Sequence, residues 1–250
     1  VTLPNHHAGH RSQVVVGTHP DGFSGCVPAI MDDMGGLWAP FAAGLFGMCG
    51  GWWVRRMVRS GAHRRYADEV AAPTYAPWWP PVWGAGLCAL SWWRLVAGNE
   101  GFTVGVTLML PAYLWLAAVD LDVHRLPDVV TVPLFPVVTV WTAGLAWWGG
   151  DGDRWRRALL AGVLVSVFFV ALHLVSRRQL GWGDVKLSGP LGMLLGWSSW
   201  TAVWVGVYAM FVCGGLAAGW LIVRRRAGRR SRIAFGPAMA LGAWIGVFLT

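Results

Sequence analysis

The sequence predicts an all-α polytopic membrane protein of about eight transmembrane helices, with an intramembrane aspartate pair near the cytoplasmic face. Three observations predict the class. Only 13% of the 250 residues are charged and 56% are hydrophobic, whereas a soluble domain carries about 25% charged residues. The apolar runs are continuous rather than alternating, which suits helices that satisfy their own backbone in lipid and excludes a β-barrel. The 19 tryptophans fit interfacial belts, where an indole ring sits at headgroup level.

Residues 1–37 are polar and rich in Gly, His, Pro and Asp, the composition of a disordered tail. No basic segment precedes a short apolar core with a cleavage site, so the tail does not read as a signal peptide. His6, His7, His10 and His19 lack acidic or Cys companions there and read as part of the tail rather than as a metal site.

A span needs roughly 20 apolar residues. The candidates are 38–54, 82–98, 102–119, 129–148, 157–176, 187–200, 201–223 and 233–250. The division between the sixth and seventh rests on Gly196-Trp-Ser-Ser-Trp200, a tight turn. Residues 55–81 are basic and then Pro-rich, too short for a sizeable core, and read as a solvated linker. The expected organisation is a tail over 1–37, a first span and basic loop over 38–81, and a membrane domain over 82–250. Cys26, Cys49, Cys88 and Cys213 lie far apart with no C-x-x-C. Neither a zinc ribbon nor a disulfide framework is expected, and the last three read as small packing residues.

The net charge of +8 reads as topology. Arg55, Arg56, Arg59, Arg64 and Arg65 follow the first span, and His124 and Arg125 the third. Arg177, Arg178 and Lys186 follow the fifth, and a run from Arg224 to Arg232 the seventh. These loops alternate, so they share one side, which the positive-inside rule makes cytoplasmic. Both ends of the sequence then face the other way. Arg154, Arg156 and Arg157 are the exceptions, beside Asp151 and Asp153. No basic face of the kind nucleic acid needs is present, so the expected partner of the surface is the lipid bilayer.

Two stretches then stand out. Asp120-Leu-Asp-Val-His-Arg-Leu-Pro-Asp128 closes the third span, and Gly181-Trp-Gly-Asp-Val-Lys-Leu187 opens the sixth. A carboxylate at a membrane boundary is expensive and reads as functional by default. Asp120 is the one preceded by unbroken apolar sequence. Asp122 reads as a solvated loop residue or a supporting one, and Asp128 as a helix N-cap. Gly181 and Gly183 let the chain turn sharply and approach a neighbour closely around Asp184. Lys186 either pairs with Asp184 or anchors the cytoplasmic end of the sixth span. If Asp120 and Asp184 meet, they share a proton, and such a pair hydrolyses peptide bonds without a covalent intermediate. The residues alone leave two other uses open, a charged pair closing a helix interface and a proton or ion relay.

These residues resemble the type IV prepilin peptidases, polytopic membrane aspartic peptidases that trim the leader of pilin-like precursors. Asp120-Leu-Asp with Leu126-Pro-Asp128 looks like the family's first aspartate motif. Gly181-Trp-Gly-Asp184-Val-Lys-Leu187 matches its G-x-G-D-x-K-L motif, and Phe235-Gly-Pro237 with Leu241-Gly242 is similar to a late segment. The resemblance covers about residues 82–250. It implies that Asp120 and Asp184 are the catalytic pair, supported by Gly181, Gly183, Lys186 and Asp122, with no metal or cofactor. It further implies a bacterial plasma-membrane enzyme cleaving short basic leaders after glycine on the cytoplasmic side. Many members also carry two C-x-x-C pairs in an N-terminal part linked to N-methylation. Gly44 to Gly51 is at best a degraded version of that part, and the Cys pairs have no match, so a reduced, peptidase-only member is expected. Phe235-Gly-Pro237 reads as helix initiation, with Pro in the first turn.

Overall fold

The computed structural model describes residues 27–64, 76–96, 99–176, 180–224 and 234–250, with side chains from Trp38 onward. These residues form eight helices. They are α1 (Val27–Ser60), α2 (Pro80–Leu95), α3 (Glu100–Val123), α4 (Asp128–Gly149), α5 (Gly152–Val175), α6 (Trp182–Ser198), α7 (Trp200–Val223) and α8 (Gly236–Leu249). Among the described residues there is no strand. Helices α3, α4, α5 and α7 are long and apolar enough to cross a membrane, and α8 is a shorter apolar helix. The protein is an all-helical, polytopic membrane protein.

The chain divides into two compact units, Val1–Leu37 and Trp38–Thr250. In the first, residues 27–37 are helical rather than disordered. The remainder of the expected tail, with its four histidines, lies outside the described residues.

In the second unit α6 is the central helix, packed against α4, α5, α7 and α8. It is buried nearly all round, as a helix enclosed by others must be. Lipid tails supply no hydrophobic drive between helices, so close packing of small residues substitutes for it. Gly192 and Gly196 of α6 lie against Ala161 and Gly162 of α5, and a Cβ on Gly196 would come within 2.4 Å of Ala161 Cβ. Gly242 and Gly246 of α8 press onto Met210 and Gly206 of α7 in the same way. Gly47 of α1 meets Gly84 of α2, where a Cβ would lie 2.0 Å from the Gly84 carbonyl oxygen. Val54 and Val58 of α1 then join Cys88, Leu114 and Ala118 in a second apolar cluster.

Several helix ends differ from the expectation. Helix α1 continues to Ser60 instead of giving way to a loop at 55, because Val54 and Val58 are fully buried. Arg56 lies over the Trp52 ring at 5.8 Å. Helix α3 runs one turn past 119, and α6 starts at Trp182 rather than 187. Asp120 and Asp184 therefore sit inside helical turns, not in connecting loops. The turn at Gly196–Trp200 is present: Ser199 caps α7, its hydroxyl oxygen accepting the Ala202 N–H at 2.9 Å.

The exceptional arginines have local acceptors. Arg157 donates to the carbonyls of Gly196, Trp197 and Ser198 at 2.6, 2.8 and 3.0 Å, satisfying the open C-terminus of α6. Arg154 donates to Asn99 Oδ1 at 2.9 Å, and Arg156 pairs with Asp153. All three stand at the end of the bundle opposite Asp120 and Asp184.

Candidate active site

Asp120 lies in the last turn of α3 and is only 5% exposed. Helix α3 ends where His124 adopts a left-handed conformation, φ 53°, with its N–H on the Asp120 carbonyl. The Asp120 side chain reaches across the bundle end. Its Oδ2 accepts the backbone N–H of Gly236 at 2.8 Å. Gly236 opens α8, where N–H groups lack intrahelical acceptors, and Pro237 behind it has no N–H to offer. Phe235 fixes this start by packing on Phe169 and Phe211, with ring centroids 6.3 and 5.6 Å away.

Asp184 is the third residue of α6 and 7% exposed. Gly181 caps that helix in an extended conformation, ψ 139°. The Asp184 carboxylate reaches back to the Gly181 N–H, the arrangement an acidic side chain makes in a capping box. His173 supports the turn from the α5 side, with Nδ1 2.8 Å from the Leu180 carbonyl and its ring edge-on to Trp182. Asp120 and Asp184 lie within electrostatic reach of each other. Two carboxylates so placed are disfavoured as two full charges.

The structure treats the other expected site residues unevenly. Gly183 stands where the α3–α4 connection crosses α6, and a Cβ there would lie 2.6 Å from Leu126 Cβ. Lys186 pairs with Asp128 rather than with Asp184. Its Nζ donates to Asp128 Oδ1 at 2.7 Å, joining the start of α4 to α6. Asp128 accordingly does not cap α4: Pro127 holds the N-cap position and Asp128 is the first helical residue. Asp122 is not solvated. Arg64 holds it bidentately, Nε to Oδ2 at 2.9 Å and Nη2 to Oδ1 at 2.7 Å. His63 Nε2 lies 2.6 Å from the same Oδ2, and all three side chains are almost wholly buried. Asp122 thus ties the chain just beyond α1 to the end of α3. Sequence reasoning missed His63, Leu126 and the Gly236 amide. Their signals are long-range, apart from the Phe-Gly-Pro triplet.

The characteristic sequence pattern of the type IV leader peptidase family matches residues 107–222. Over residues 107–222, a little under half of its length, the chain is similar to that family. The matched stretch includes Asp120 and Asp184 and ends before Gly236. A prepilin leader peptidase/N-methyltransferase of Pseudomonas aeruginosa is 30% identical over 158 residues, 60% of this chain and 52% of that protein. One of Aeromonas salmonicida is 30% identical over 178 residues, 66% of this chain and 50% of that protein. One of Xanthomonas campestris is 26% identical over 162 residues, covering 65% and 55%. The chain thus spans about half the length of the curated relatives it matches. No solved structure matches it.

Proposed function

We propose that the chain is a membrane aspartic endopeptidase of the type IV leader peptidase family, which removes the short basic leader of type IV prepilin-like precursors after glycine. The observation that carries the reading is the presence of two buried carboxylates, Asp120 and Asp184, at the same end of the helix bundle. The ionised member of the pair takes a proton from a water held between the two. The hydroxide equivalent so formed attacks the scissile carbonyl carbon. The protonated member donates to the carbonyl oxygen, giving a gem-diol. As the C–N bond breaks, the proton taken from water passes to the leaving amine and one diol hydroxyl returns its proton to the pair, leaving a carboxylic acid product. No bond to the enzyme forms. Burial strengthens these charge–dipole interactions, because the site excludes the solvent that would screen them.

Gly236 and Gly181 support the reaction by donating N–H groups that hold one carboxylate each in place. The site belongs on the cytoplasmic side of a bacterial plasma membrane. The basic loops at that bundle end support this face, and a basic leader is retained there by the same rule. The test is cleavage of a prepilin-like precursor by the detergent-purified chain, beside Asp120→Asn and Asp184→Asn. Release of the leader by the wild type alone is expected. A well-folded wild type that leaves several precursors intact rejects the reading.

A further inference from the structure

An apolar cavity of about 250 Å³ lies between α2, α3, α6 and α8. Among the described residues no charged side chain lines it. Its α3 wall is a stripe of Val106, Leu110, Leu114, Ala117 and Leu121, spaced for one face of a helix. That stripe extends about 22 Å at 1.5 Å per residue, four turns of an apolar helix laid beside it. On α8 the wall runs from Pro237 through Leu241 and Trp244. The α2 and α8 walls fall outside residues 107–222, so the family pattern does not account for the cavity.

One end of the cavity lies next to the carboxylates in sequence. Leu121, 41% exposed, follows Asp120 directly, and Pro237 follows the Gly236 that holds Asp120. The helical faces also agree. Tyr113 and Ala117 share the Asp120 face of α3, and Leu191 lies two turns beyond Asp184 on the same face of α6. An occupant of this groove is therefore in line with the pair.

We infer that the groove seats the apolar helical segment that follows the scissile bond of the precursor, an assignment that rests on the peptidase reading. A helix satisfies its own backbone and asks only for apolar walls, which this groove supplies. Its position then decides which peptide bond meets Asp120 and Asp184. Side chains of the bound helix fill the cavity, while its outer face stays against lipid.

The test is photocross-linking in lipid vesicles, with a photoreactive side chain placed in turn at Leu121, Leu114 and Val106 of the Asp184→Asn chain. Val140 and Trp204, exposed on other faces, serve as controls. The probe is a complete prepilin-like precursor, with wild-type cleavage followed in the same vesicles. Precursor adducts are expected at the three groove positions and not at the controls. The cross-linked precursor residue should shift farther from the scissile bond from Leu121 to Leu114 to Val106. Cleavage with lipid-only adducts in the groove, or with precursor adducts that are equal at Val140 or do not shift, overturns the groove assignment and leaves the peptidase reading standing. Absence of wild-type cleavage overturns both.

Discussion

The Gly236 amide holds the Asp120 carboxylate from across the bundle. The N–H to Oδ2 distance is 2.8 Å, between residues 116 apart in sequence. A side chain at 236 would intrude on this contact, because a Cβ there lies 2.9 Å from the same oxygen. Gly236 is therefore required by space as well as by its donor. Phe235 locks its position from the other side, and a Cβ on the facing Gly214 of α7 would lie 2.5 Å from the Phe235 ring.

Gly236→Ala should displace the Asp120 side chain without unfolding the bundle. A misplacement of about 1 Å at a reacting group costs roughly a hundredfold in rate. Precursor cleavage by the purified variant is expected to fall by between ten- and a hundredfold on that basis. Its thermal midpoint should stay near that of the wild type. A variant cleaving at the wild-type rate would show that the Gly236 contact does not position Asp120.

Asp120 and Asp122 should separate cleanly when each is replaced. Asp120→Asn is expected to abolish cleavage and leave folding intact. Asp122→Ala strips a buried partner from Arg64 and His63, and breaking such a buried pair costs about 3–5 kcal/mol. Asp122→Ala should therefore lower the denaturation midpoint strongly, yet its folded fraction should still cleave. Loss of cleavage in a stable Asp122→Asn chain, with Asp120→Asn still active, would exchange the two roles.

Lys186 invites the opposite expectation. Its contact with Asp128 is close, but the Asp128 side chain is 66% exposed. Exposed pairs contribute about 0–1 kcal/mol. A double-mutant cycle over Lys186→Ala and Asp128→Ala should give a coupling below about 1 kcal/mol, and Lys186→Ala should retain most of the cleavage activity. A large drop in turnover with unchanged stability would return Lys186 to the reaction itself.

The parts of this site that were legible in sequence are the local ones. Gly181, Gly183 and Asp184 form a single helix start, and the glycine-carboxylate spacing states its own geometry. Asp120 was legible because unbroken apolar sequence leads up to it. The rest depends on residues that meet only in three dimensions. His63 and Arg64 reach Asp122 from just beyond the end of α1, 59 and 58 residues away in sequence, which turned an apparently solvated loop acid into a buried tie. Lys186 found Asp128 because α4 and α6 start side by side, a fact of packing and not of spacing. The helix ends shifted for a related reason: Val54 and Val58 carry α1 past the last residue that hydropathy alone would include.

Arg157 shows how a charge can stand against the positive-inside trend. It is half-buried and gives three hydrogen bonds to the last carbonyls of α6. Those carbonyls have no intrahelical donors, so the arginine replaces the water they would otherwise need. Hydrogen bonds to a charged group contribute about 1.5–3 kcal/mol each when partners are left unpaired, and they are not additive. Arg157→Ala should therefore destabilise the protein by roughly 2–4 kcal/mol, read as a lower denaturation midpoint in detergent. The site lies at the other end of α6, so cleavage per folded molecule should be unchanged. If cleavage falls while the midpoint holds, the two ends of α6 are coupled, and the central helix transmits position along its length.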